Sequence, residues 1–291
     1  MNAKNLEFLK EGIKYLGFGE GLNNKLTEEL KSQKNEFQLR TENQYGKDKV
    51  SYTLDFRKSD QSDMYFFNKY TASLKHEDGN DKSQTFFIKK NSGVTAKEAY
   101  NLLNGRAVNK DLTNQEGEKY NAWLQIDWNQ KDNHGNHKFK MIHEAYGFKL
   151  DEVLAKHPIK ELGEPVTKDR LMQSLERGNL HQVTFAKGDK EEKMFIEANP
   201  QYKSLNLYDG NLKKVFQENP GKYHVPESDP MKSKPDTAMK NPSIEAKVDQ
   251  KESKAGREVG SRKEASKQSP SDEPDEALTS PKKQPKKKLK V

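Results

Sequence analysis

The chain contains no cysteine. This excludes a disulfide framework, a thiolate metal site and a thiol nucleophile, and it fits a reducing cytoplasm. Apolar residues are also scarce: 31% hydrophobic against 33% charged across 291 residues is below the globular norm, so part of the chain is expected not to fold. The shortage is local. Nine of the twelve prolines lie from Pro220 onward, where Tyr223 is the sole aromatic residue. Long apolar runs are missing as well, which argues against a bilayer span and against a membrane partner. Glu7 and Glu11 interrupt the apolar pattern near the N-terminus, so that stretch does not read as a signal peptide.

Catalytic signatures are equally wanting. The chain has no glycine elbow around a Ser or Thr, no H-E-x-x-H helix, no Walker loop and no dinucleotide fingerprint. Gly17-Phe18-Gly19-Glu20-Gly21 is glycine-rich, but it follows a helical pattern rather than a strand and reads as a turn between helices. Asp60 and Asp63 sit in a loop and read as turn chemistry. These absences lead to the expectation of a non-catalytic protein without a cofactor.

What is present is a strong order of elements. Leu6, Leu9, Ile13 and Leu16 fall at helical spacing, and Leu22, Leu26 and Leu30 mark a second helix, giving a helical hairpin. Strands follow at Glu36 to Glu42, Val50 to Lys58, Met64 to Lys75 and Gln84 to Lys90, with connections short enough for an antiparallel meander. The aromatic density of Tyr65, Phe66, Phe67 and Tyr70 predicts a central strand buried on both faces. Residues 1–92 are read as hairpin plus meander.

A unit then occurs twice. Thr95 with Glu98 reads as a capping box opening a helix that Gly105 stops, before strands Arg106 to Leu112 and Lys119 to Trp128. Strand Lys138 to His143 and a short helix from Phe148 to Lys156 complete the stretch 93–157. In 158–216, Thr167 caps, Gly178 stops the helix, strands Leu180 to Ala186, Lys193 to Glu197 and Ser204 to Tyr208 follow, and a helical turn is expected near Leu212 to Phe216. The fold class is therefore α+β: helical hairpin, antiparallel meander, two helix-plus-hairpin units and a tail. Residues 217–291, rich in Lys, Glu, Ser and Pro without periodicity, predict a disordered tail.

The net charge of +7 arises from 52 basic and 45 acidic residues, and residues 217–291 hold 17 basic against 13 acidic. More than half of the excess thus sits in the tail, which ends PKKQPKKKLKV. Lys282, Lys283, Lys286, Lys287, Lys288 and Lys290 form a cationic arm able to lie along phosphates without reading sequence. Trp123 is the second candidate contact with DNA or RNA: Tyr120, Ala122, Leu124, Ile126 and Trp128 share one strand face as core, leaving Trp123 on the other as an exposed stacking surface. His134, His137 and His143, near Asp132, match no trusted zinc spacing and read as surface histidines, so no metal is expected.

Several phrases, among them YFFNKYTASL, GVTAKEAYNLLNGRAVNKDLTNQEGEKYNAW, HPIKELGEP, SLERGNL and FIEANPQYKSLNLYD, resemble a family of uncharacterised repeat-containing proteins carried on bacterial conjugative elements. The resemblance covers most of residues 1–215 and brings no catalytic motif. It implies a bacterial cytoplasmic setting and, by association, a DNA-transfer context. Two functions follow as expectations: an accessory protein that binds nucleic acid weakly and without sequence preference through its basic tail, or an adaptor whose repeated units offer a sheet edge or groove to another protein of the same element.

Overall fold

The computed structural model describes residues 2–75, 79–88, 93–114, 116–187 and 190–215. Among them the protein is α+β, with five α-helices and three antiparallel sheets. Helix α1, Ala3–Ile13, buries Leu6, Leu9 and Ile13 because these recur every three or four residues. Asn2 caps it through its side chain. The fully enclosed amide of Asn5 accepts from the Tyr65 backbone N–H at 2.8 Å and donates to its carbonyl at 2.9 Å, which pins α1 to the sheet below. A π-helical turn, Lys14–Phe18, is kinked at Gly17 (φ 84°) and leads to α2, Asn23–Lys31.

The first sheet has order β1-β2-β3-β4, formed by Glu36–Tyr45, Asp48–Lys58, Tyr65–Leu74 and Lys82–Phe87. The expectation that β3 is buried on both faces is corrected: Tyr65, Tyr70, Ala72 and Leu74 are buried, whereas Phe66 is 45% exposed. One face of β3 stays open along its length, and an irregularity in register, Asp55 pairing with Lys69 and Phe56 with Phe67, decides which rings lie on it. The extra residue, Asn68, lets Tyr65 and Tyr70 share the inner face although five positions apart, and turns Phe66 outward.

Helix α3, Ala96–Leu103, carries the capping box of Thr95 and Glu98. It leads into the middle sheet, order β5-β6-β7, built from Val108–Thr113, Lys119–Lys131 and His137–His143. After α4, Leu150–Leu154, comes α5, Pro165–Glu176, and then the third sheet of β8, His181–Lys187, β9, Lys190–Asn199, and β10, Ser204–Tyr208, with β9 central. Thr167 does not cap α5. That helix starts with Pro165 in its first turn, and the Thr167 hydroxyl donates back to the carbonyls of Glu161 and Glu164. Nor does a helical turn follow β10: Tyr208 bridges Lys214, and the Val215 N–H donates to the Leu207 carbonyl at 2.8 Å.

Three helices end by one plan. The residue two past the last helical position has positive φ, at Gln33 (56°), Gly105 (79°) and Gly178 (74°). The next strand begins three residues later in each case, at Glu36, Val108 and His181. At Gly105 and Gly178 the ends are fuller Schellman motifs, with Arg106 N–H donating to the Asn101 carbonyl and Asn179 N–H to the Ser174 carbonyl, both at 3.0 Å.

Helices α3 and α5 each pack between their own sheet and the preceding one: α3 touches β3 and β4 as well as β5 and β6, and α5 touches β5 as well as β8 and β9. The middle sheet consequently serves two cores. Val108, Leu124 and Ile126 join the core of α1, α2, α3 and the first sheet. Ala107 and Trp123 join the core of α4, α5 and the third sheet. A boundary drawn at 92/93 runs through the first of these cores.

Candidate functional site

Strand β5 positions the site because it is the outer strand of the middle sheet, and among the described residues no strand pairs with its free side. Alternate residues of such an edge direct N–H and C=O groups outward, available to another extended chain. Side chains alternate across it. Val108 points into the first core, and Lys110, two residues on, meets Glu98 of α3 at 3.1 and 3.2 Å. The Glu98 carboxylate also accepts the Thr95 N–H at 2.8 Å, so one enclosed carboxylate serves both the helix cap and the strand.

The other face of β5 carries Asn109 and Asp111. Asn109 and Asn121 of β6 exchange amide hydrogen bonds at 2.6 and 2.8 Å, and Asn121 donates further to Asp111 at 2.9 Å. This polar ladder fixes the strand without consuming its outer backbone groups.

Beside β5 opens a groove of about 1160 Å³, bounded by α1, the start of β3, the first turn of α3, Asn109 to Asp111, Asn121 and the last turn of α5. Its far wall is apolar. Phe8, Tyr15 and Phe66 are 53%, 79% and 45% exposed, and Ile88 and Phe67 lie behind them. Three large rings presented to solvent around one depression are the kind of patch that marks a contact surface. The near wall is polar, with Glu98, Asp111 and Glu176 beside Lys110 and Arg177, and Glu11 of α1 adds a fourth carboxylate from the opposite side. Burial pushes the Glu176 carboxyl above its usual range, with Asp111 adding to the effect and Arg177 opposing it.

Trp123 departs from its expected place. It is 7% exposed, lies within the second core, and meets Phe148 edge-on at 5.4 Å. The reading of an exposed stacking surface assumed that β6 has one dry face. In fact Phe148 and the core shared with α4, α5 and the third sheet close over that face at Trp123, so the ring is shut off from a base. Trp128, expected in the core, is half-buried against it, with His137 edge-on at 4.7 Å and the Lys82 ammonium 5.2 Å away. His143 lies instead beside Tyr120, at 5.5 Å between rings, so the histidines do not converge. Among the described residues no three metal-ligating side chains gather. Lys282, Lys283, Lys286, Lys287, Lys288 and Lys290 lie outside the described residues.

Sequence reasoning missed the groove. Phe8 and Tyr15 fall beside the apolar stripe of Leu6, Leu9, Ile13 and Leu16, and Phe66 sits between two other rings, so spacing alone reads all three as part of a buried face. No helix among the described residues is long and apolar enough to cross a membrane. Comparisons with protein-family models, with curated proteins and with solved structures return no match.

Proposed function

We propose that the body of this protein is a non-catalytic adaptor that holds an extended segment of a partner protein along β5. The observation that carries the reading is the coincidence of an unpaired strand edge with an aromatic wall in one groove. An added strand draws affinity from backbone hydrogen bonds, while alternate side chains reach the rings and the acidic wall. The segment that fits is extended, with an aromatic or large aliphatic side chain flanked by Lys or Arg, since carboxylates outnumber cations around the groove. In the setting that the family resemblance implies, the partner is another protein of the same conjugative element.

The test is fluorescence polarisation with labelled ten-residue peptides carrying a central Phe between lysines, against a matched set with glutamates. Saturable binding is expected for the basic set only. Phe66→Ala and Glu176→Gln are each expected to weaken it about tenfold, a size ordinary for one anchor contact. Peptides N-methylated at alternate backbone positions are expected to lose binding although they keep their side chains. Binding that survives N-methylation unchanged overturns the strand-addition reading.

A second reading rests on the six C-terminal lysines, which favour weak contact with DNA or RNA by counterion release. With Trp123 enclosed, those lysines carry it alone. Replacing all six by Gln in the full chain is expected to abolish a gel shift that fades steeply with salt. An undiminished shift removes the tail from the account.

A further inference from the structure

Away from the groove, on the other side of the first turn of α3, four side chains gather around one lysine. Tyr45 of β1 and Tyr100 of α3 stack with ring centroids 4.4 Å apart. The Lys97 Nζ lies 4.3 Å from the first ring and 4.5 Å from the second. The Arg106 guanidinium carbon lies 5.1 Å from the Tyr100 ring, and the Tyr100 hydroxyl donates to Asp48 at 2.8 Å. Lys97 is nevertheless exposed to solvent. Lys10, Lys14, Lys34, Lys149 and Lys160 each have a carboxylate within 2.9 Å, whereas Lys97 has no ion pair among the described residues.

We propose that Lys97 is an acylation site, the lysine of the body that accepts an acyl group from a small activated donor such as an acyl phosphate. Three features of the place favour the neutral, nucleophilic amine. The two rings displace water from Nζ, Arg106 sets a like charge nearby, and Lys97 stands in the first turn of α3, where the helix dipole disfavours a cation. Asp48 acts the other way, as does the attraction of the two ring faces for a cation at 4.3 and 4.5 Å. Together they hold the ammonium down at about 8, with burial the largest cause, Arg106 next and Asp48 opposing.

In the reaction the Nζ lone pair adds to the acyl carbonyl carbon. The C–N bond forms as the C–O bond to phosphate breaks, phosphate leaves with that electron pair, and the amine proton passes to water. The acyl-lysine is uncharged, so the product no longer repels Arg106 and keeps its stem against the rings.

The experiment treats the full chain with acetyl phosphate at pH 7.5 and follows each lysine by peptide mass spectrometry. At that pH an ordinary lysine, with a pKa near 10.4, is neutral in only about one molecule in a thousand. Lys97 is expected to acetylate roughly tenfold faster than Lys47 and Lys119, exposed lysines that are likewise unpaired among the described residues. Its rate should level off above about pH 8. Arg106→Gln is expected to slow it and Asp48→Asn to accelerate it, circular dichroism confirming the fold of each. Equal rates at Lys97, Lys47 and Lys119, or a Lys97 rate indifferent to both substitutions, overturns the proposal.

Discussion

A Cβ placed on Gly178 would stand 2.6 Å from the carbonyl oxygen of Ala107, closer than any side chain tolerates. Gly178 ends α5 at φ +74° and lies directly on the start of β5, so the last turn of one helix is docked on the middle sheet through a missing side chain. Gly105 holds the equivalent place after α3 at φ +79° with nothing within 4 Å. Gly178→Ala should therefore cost about 2–4 kcal/mol, left-handed strain plus a clash, and Gly105→Ala only about 1–2 kcal/mol from strain alone. Urea denaturation of the two variants measures the difference, and equal losses would show that the close approach is not structural.

The ion pair between Lys110 and Glu98 predicts an asymmetry. Glu98 is 8% exposed and Lys110 21%. Lys110→Met removes the partner and leaves an enclosed carboxylate with only the Thr95 N–H, a loss of about 2 kcal/mol. Changing both residues together, Lys110→Met with Glu98→Gln, should recover much of this, because no charge is left stranded. A double-mutant cycle read by thermal denaturation gives the coupling.

Trp123 separates structure from binding. Trp123→Ala empties a core position filled against Phe148 and should destabilise the fold by about 3–5 kcal/mol. Nucleic-acid affinity measured well below the variant's melting point should not change. A selective loss of affinity in a stable Trp123→Phe variant would put the ring back at an interface.

His181 predicts acid sensitivity. Its Nδ1 lies 2.8 Å from the Ser174 hydroxyl, and burial holds its pKa below the usual histidine range, with Glu161 opposing. The native state thus binds the proton less readily than the unfolded chain. Stability is fully present above about pH 6.5, the unfolded value, and is lost as pH falls toward and through the lowered native value. Melting temperatures from pH 7.5 to pH 5 should fall less for His181→Gln than for the parent chain.

Much of the architecture was legible from the sequence, because local signals and burial agree there. Thr95 and Glu98 announce the start of α3, Gly105 and Gly178 announce helix ends, and Tyr52, Leu54 and Phe56 alternate as a one-sided strand. What stayed hidden depends on neighbours distant in sequence. Periodicity shows that β6 has two faces but cannot show that a second core closes over the second one at Trp123, which is why Trp123 reads as exposed and is enclosed. Phe66 fails for a different reason: a single extra residue at Asn68 reverses the side on which the ring emerges. The groove unites α1, β5 and α5, and no spacing rule connects residues so far apart along the chain.

The shared middle sheet bears on how this protein comes apart. Since β6 lends Leu124 and Ile126 to one core and Trp123 to the other, melting either half strips the cover from a strand that the remaining half needs. The tandem arrangement, which could have behaved as beads on a string, is thereby tied into a single cooperative block, and calorimetry should record one transition where the order of its elements suggests several.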